Sequence, residues 1–582
     1  LDVYHDRQRE ALLTGVGAAE LATVHRALAL AMMSRESANP ATVAAHWLAA
    51  GDADAAFEHL KRAAEDAERA LAFVRAASLY GRAAQLVAER GKDADELRTR
   101  EAECLWQAGE VVRAAEVWLE LSSGASHERA LLLRRRAGEA LLHAGRARAA
   151  YTLSRDVVRA HGLRWPDTTG AALVHLMRSH LSALLRPRPP RPSEESRARA
   201  DVLFAACTGL IRMDPLRAAA LQAQLYEIAR GSSDRSLRAL AVMTEVPLAS
   251  FPGAWAKGRI ARLLPEIDEA ARRAGDSRTL LRARVLRAFA HVYVGEVAQA
   301  ADALDDTVEQ LERAGLGGSW EATASTSLRL FARFYLGRFE ALRTLALESA
   351  ALAAARGDRL GVAIASLRHS IYAWLVRDDL AEAERRIARE SDAWRHEPYV
   401  LPHHHEALAR AHVALYRGEA LDAYRVVRAD VTRAAHAGVL LSQFVRVDAL
   451  AFLGRAAVAS LGARDDSAAL RAVASATCAA LYAERSPLGL ALRRLIEAAR
   501  TVADRPGAAP AALRDAARAC ERRGLLMHAR AARWQAARLE GGPRAVRERG
   551  ELERWAERSG VVNPARVYAA LVPVPSHRNA NG

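Results

Sequence analysis

Apolar residues recur three and four apart over long stretches of this chain. In TLLRARVLRAFAHVYVGE (279–296) and WEATASTSLRLFARFYLGR (320–338) they mark a stripe along a helix, with arginines and small polar residues filling the remaining positions. Strand-like alternation is scarce throughout. Between the periodic segments a turn recurs: VGEVAQA at 294, LGRFEAL at 336, RDDLAEA at 377 and RGEALDA at 417. With Gly295, Gly337, Asp378 and Gly418 as equivalent points, the spacings are 42, 41 and 40 residues, which predicts a repeated helical unit.

Glycine closes a helix in the left-handed conformation, and the polar residue after it helps to start the next one. Five positions beyond the turn stands a small residue, Ala300, Ala383 or Ala423, where two helices need to approach closely; Leu342 is the exception. Gly51, Gly109 and Gly145 repeat the rule with Ala56, Ala114 and Ala150. The predicted fold is all-α, an α-solenoid of antiparallel helix pairs resembling a tetratricopeptide superhelix. Each pair is too small to bury its own apolar face, so its neighbours complete the core. Two arrays are expected, over 46–165 and 201–505. A connector at 166–200 joins them, in which prolines 187, 189, 190 and 192 forbid a continuous helix. A C-terminal helical cap (506–572) and a disordered polar tail (573–582) complete the expected plan.

Composition agrees with a helical reading. Of 582 residues 51% are hydrophobic but only 5% aromatic, so alanine and leucine, the best helix formers, supply the apolar mass. Lysine occurs only at Lys61, Lys92 and Lys257, so arginine dominates the formal net charge of +15. The arginines are interleaved with acids, as in EAERRIARE (382–390), which reads as solvated helix faces with i,i+4 pairs in preference to a nucleic-acid surface. Cys104, Cys207, Cys478 and Cys520 are far apart and form no CxxC pair, as suits buried thiols in a reducing cytosol. No apolar run reaches the ~18 residues of a membrane span, so no membrane association is expected and a cytoplasmic location is.

Candidate chemistry is sparse. None of the three lysines stands in the Gly-Lys-Ser/Thr setting of a P-loop, and neither an HRD nor a DFG string occurs, so these residues offer no nucleotide hydrolysis of that kind and no kinase centre. PHHHEALARAH (402–412) gathers histidines, but alanine stands where a zinc protease motif needs its second one. His405 and His412 are seven apart, ~10 Å along a helix, too far for one ion. A polar helix start is the expected role, and a metal-dependent hydrolase the disfavoured one. Asp378 with Asp379, and Asp465 with Asp466, sit at turns and read as helix caps. Tyr293, Tyr335, Trp374 and Tyr416, with Phe334, precede turns at like positions; they read as core wedges, and as the first candidates to line an interaction groove.

The opening VYHDRQREAL (3–12) resembles the YHDRxRE motif that follows the AAA-type ATPase core in bacterial STAND-class signalling proteins, many of which carry a serine/threonine kinase. VAAHWLAAGDADAAFEHLKRAAEDAERALAFVRAASLYGRAAQL (43–86) is similar to the first helical repeats of that family. GLRWPDTTGAALVHL, LARAHVALYRGEALDAY and WAERSGVVNPARVYAAL follow in the family's order. Gln8 and Val74 depart from its usual isoleucine and aspartate. The resemblance implies that residues 1–45 end a winged-helix-like segment after an ATPase core, and that the chain is the non-catalytic sensor and protein-interaction region of a kinase–ATPase. The region itself would need no cofactor, ATP or ADP and magnesium belonging to the parent. Its partners would be a protein or peptide and the parent's own modules. His5, within the matching Tyr4, His5, Asp6, Arg7, Arg9 and Glu10, would contact the nucleotide phosphate in the parent. A free-standing helical scaffold, such as a transcriptional regulator, is the alternative.

Overall fold

A computed structural model describes the chain except for residues 1–15, 36–37, 89–91, 186–193, 212, 231–234, 276, 315–319, 463–466 and 576–582. The described residues form α-helices joined by short turns and a few 3-10 segments, with no strand among them. None of the helices is long and apolar enough to cross a membrane.

All seven turn residues singled out by the repeat adopt positive φ: Gly51 (77°), Gly109 (81°), Gly145 (72°), Gly295 (91°), Gly337 (72°), Asp378 (57°) and Gly418 (85°). The local hydrogen bonds explain why. At Gly295 the glycine N–H donates to the Val292 carbonyl (3.0 Å) and the Glu296 N–H donates back to the His291 carbonyl (2.8 Å). This closure satisfies the last carbonyls of the helix and requires the left-handed residue. The position five beyond is sealed in every case: Ala56, Ala114, Ala150, Ala300, Leu342, Ala383 and Ala423 are at most 1% exposed.

The chain divides into two compact units, Leu1–Ala144 with Ala355–Asp358, and Gly145–Ala354 with Arg359–Gly582. In the first, the helices Ala18–Met33, Pro40–Ala49, Ala53–Arg69, Phe73–Leu86, Lys92–Gln107, Val111–Gly124 and His127–His143 each pack on the next in chain order. Side chains cap two of their starts: Asn39 accepts from the Ala41 N–H and Asp52 from the Ala55 N–H, both at 3.0 Å.

The second unit adds a longer-range rule to the pairing of neighbours. Its early turns lie against helix starts about 190 residues further on. The Phe251 carbonyl accepts from the Gln443 N–H (2.7 Å), where Gln443–Ala459 begins. Gly295 faces Pro487, 192 residues on, and Gly337 faces Met527, 190 residues on. Asp378 accepts from Asn563 and Arg566 just where Pro564–Leu571 begins. Four turns, taken at every second connection, thus meet the starts of four alternate helices, Gln443–Ala459, Pro487–Asp504, Leu526–Glu540 and Pro564–Leu571.

The stretch read as a connector is largely helical. Thr169–Leu185 and Glu194–Leu210 flank its prolines, which lie outside the described residues, and the boundary between the compact units falls earlier, at Ala144–Gly145. Helical periodicity in TTGAALVHLMRSHLSALL (168–185) carries the chain up to the prolines.

Candidate binding groove and buried polar centre

In the first unit, five helices from Ala53–Arg69 to His127–His143 wall a cavity of about 530 Å³. The turn at Gly109 ends one helix just after Trp106 and starts the next, so that Trp118 comes round beside it. The two rings lie 6.1 Å apart at 44°, and His143 meets Trp106 edge-on at 5.2 Å. Phe73 adds a third aromatic ring. Trp118 is 4% exposed, and its buried indole N–H has no partner.

Three carboxylates share this wall with one guanidinium. Arg136 stands 5.9 Å from the Trp118 ring centre and 2.7 Å from Glu103. Glu68 accepts from the Tyr80 hydroxyl (2.7 Å) and lies 3.5 Å from Arg100, while Glu139 meets Arg135 at 2.7 Å. Burial pushes the Glu139 carboxyl above its ordinary range in spite of Arg135 and Arg136, although 39% of the side chain still meets solvent. Burial, with Glu68 and Glu103 nearby, also pushes the Cys104 thiol up to about 11, which leaves little thiolate for nucleophilic work. A volume of this size lies within the ~300–1,000 Å³ of ordinary ligand sites, and its lining is acidic in a chain of net charge +15.

The aromatic row of the second unit is mostly interior. Tyr335, Trp374 and Tyr416 are at most 6% exposed. The Tyr335 hydroxyl donates to Asp448 (2.6 Å), the Tyr416 hydroxyl donates to Asp378 (2.7 Å), and Trp374 lies 5.2 Å from the Arg386 guanidinium. Tyr293 is half-buried and stacks on Phe289 (4.1 Å) and Phe444 (4.9 Å), and burial pushes its hydroxyl up to about 12. The cavity beside Tyr335 has about 30 Å³, room for one or two water-sized particles. Asp379 caps its helix by accepting from the Glu382 N–H (3.0 Å). Asp465 and Asp466, like His5, lie outside the described residues.

The histidines of 402–412 correct the expectation of a polar helix start. Their helix does begin at Leu401, but His404, His405 and His412 are at most 4% exposed. His404 contacts Asp430 (2.6 Å), and His412 packs on Phe452 and Tyr372. No group of three or more potential ligands suited to a metal ion occurs among the described residues. The centre that His412 joins, its ring 5.7 Å from that of His369, is built on Asp448, which accepts from Tyr335, from Arg368 Nε (2.8 Å) and from His369 Nε2 (3.1 Å).

Sequence reasoning passed over Phe73, Trp106 and Trp118, although Trp106 precedes its turn much as Tyr293 and Tyr335 do. It also passed over Asp448, a lone acid within the apolar run VDALAFLG (447–454), where a charge requires a buried partner. Compared with models of protein families and with curated proteins, the chain matches none.

Proposed function

We propose that this chain is a non-catalytic protein-interaction region of a signal-transduction protein, and that its first unit takes up an extended peptide segment bearing an arginine or lysine. The observation that carries the reading is the 530 Å³ groove with Trp106, Trp118 and Phe73 set among Glu68, Glu103 and Glu139. Flat aromatic faces beside carboxylates suit a side chain with an apolar stem and a cationic head. The resemblance of residues 3–12 and of the later landmarks supports the signal-transduction assignment, in which bound and free states would be passed to kinase and ATPase modules. Such transmission requires a ligand with different affinities for two arrangements of the parent.

The test is a fluorescence-polarisation titration with labelled octapeptides carrying one central arginine, and with the same peptides carrying glutamate. Arginine peptides are expected to bind, glutamate peptides not, and the double variant Glu103→Gln, Glu139→Gln to weaken binding by about tenfold or more, as expected for charge-assisted hydrogen bonds. Equal binding of both peptide sets, or full affinity in the variant, refutes the groove. Reading the gene upstream of Leu1 tests the signalling assignment separately: coding for a kinase and a P-loop is expected, and its absence leaves the free-standing scaffold.

A further inference from the structure

The centre of the second unit holds one positive charge more than it balances. Asp448 is committed to Arg368, with Tyr335 and His369 as its other donors. Arg455 enters the same cluster from the helix that carries Asp448, and among the described residues no ion pair reaches it. It lies 3.9 Å from the Phe452 ring centre, contacts His412 Nδ1 (3.3 Å) and donates to the Leu571 carbonyl (3.4 Å); its Nε has no partner.

The surrounding imidazoles cannot supply the missing negative charge. Burial, helped by the nearby guanidinium groups, holds His369 down to about 4, His528 down to about 3, and His405 and His412 well below their ordinary range, so all four are neutral near pH 7. The two neighbouring hydroxyls, of Tyr335 and Tyr372, are held in their protonated form by burial.

The 30 Å³ cavity opens beside this unbalanced cation. Arg455 and His528 line it together with Tyr335, His369 and Asp448, and leucine and isoleucine side chains of the helix Pro487–Asp504 form an apolar wall. His528 is 1% exposed, stacks on Tyr335 at 5.5 Å, and its Nδ1 has no partner. We propose that this cavity binds a small monovalent anion of the halide class, chloride being the natural candidate, held by Arg455 and by an N–H on His528 Nδ1. The space suits an ion little larger than a water molecule, and a guanidinium with no carboxylate of its own gains from an ion that neutralises it. Arg455 keeps partial exposure to solvent, which leaves the ion a path to exchange.

Two measurements on the full chain test it. Crystals soaked in bromide are expected to show an anomalous peak beside Arg455. Melting in chloride and in gluconate at equal ionic strength is expected to give a higher Tm in chloride, rising about 1–3 °C per tenfold chloride once the site is near saturation. Arg455→Gln is expected to abolish that dependence. A cavity holding water alone, the same Tm in both salts, or an undiminished dependence in Arg455→Gln overturns the proposal. Should that variant fail to fold, His528→Leu takes its place, and the bromide peak in the unaltered chain decides independently.

Discussion

Replacing Asp448 by asparagine keeps the size of a buried side chain and removes the charge on which Tyr335, Arg368 and His369 converge. Arg368 is 6% exposed, so its guanidinium has no solvent to turn to. It also sits at a positive φ of 54°, a conformation that fixes where its side chain emerges. Removing one partner of a buried pair leaves the other uncompensated and costs about 3–5 kcal/mol, whereas replacing both by apolar groups is far less costly. Asp448→Asn is therefore expected to lose about 3 kcal/mol or more. Adding Arg368→Met should restore at least about 2 kcal/mol of this, a coupling that only contacting residues show. The assay is urea unfolding combined with hydrogen exchange of the helices Gln443–Ala459 and Phe339–Ala355, which assigns the transition to the second unit of a chain with two compact units. A loss below about 1 kcal/mol, or strictly additive effects in the double variant, would refute the picture of a buried pair at the centre.

Acid should loosen the same unit. His369 and His528 stay neutral when folded, down to about 4 and about 3, while the unfolded chain protonates them near 6.5, so stability is complete above pH 6.5 and falls as pH drops below it. Each such histidine contributes up to about 1.4 kcal/mol per pH unit in that window, and urea midpoints at pH 7.5, 6.5 and 5.5 measure the slope; a flat profile contradicts the burial of neutral imidazoles. Gly337→Ala and Gly418→Ala separate turn strain from docking. Both glycines have positive φ, but a Cβ at Gly337 would lie 3.0 Å from the Met527 side chain and 3.1 Å from its backbone nitrogen, whereas at Gly418 it meets nothing within 4 Å. Thermal melts should show a cost of about 1–2 kcal/mol at Gly418 from the left-handed backbone alone, and a larger one at Gly337; equal costs would deny the contact across 190 residues.

The repeating turn was legible because it rests on local chemistry. A left-handed residue and a sealed small residue five places on are both written within one heptad-sized window, and Asp378 could be matched to the glycines by its spacing alone. What the helices do at long range was not legible. The register that sets Gly295 on Pro487 and Gly337 on Met527 depends on how several helix pairs pack in succession, to which no single segment testifies. The same return of the chain encloses Tyr335 and His412, so residues that look alike in sequence to groove-lining aromatics and to a polar helix start are interior. Trp106 follows the same local grammar, yet with Trp118 it borders a cavity large enough for a ligand; the difference lies in which neighbours arrive, not in its own motif.

The central claim is that the groove around Trp106 and Trp118 recognises a basic segment, and selection of a randomised octapeptide library on the immobilised full chain tests it most directly. Bound sequences should be enriched in arginine or lysine at one position, and the enrichment should vanish when Glu103 and Glu139 are both replaced by arginine. Bound sequences with the composition of the input, or enriched in acids, would contradict it.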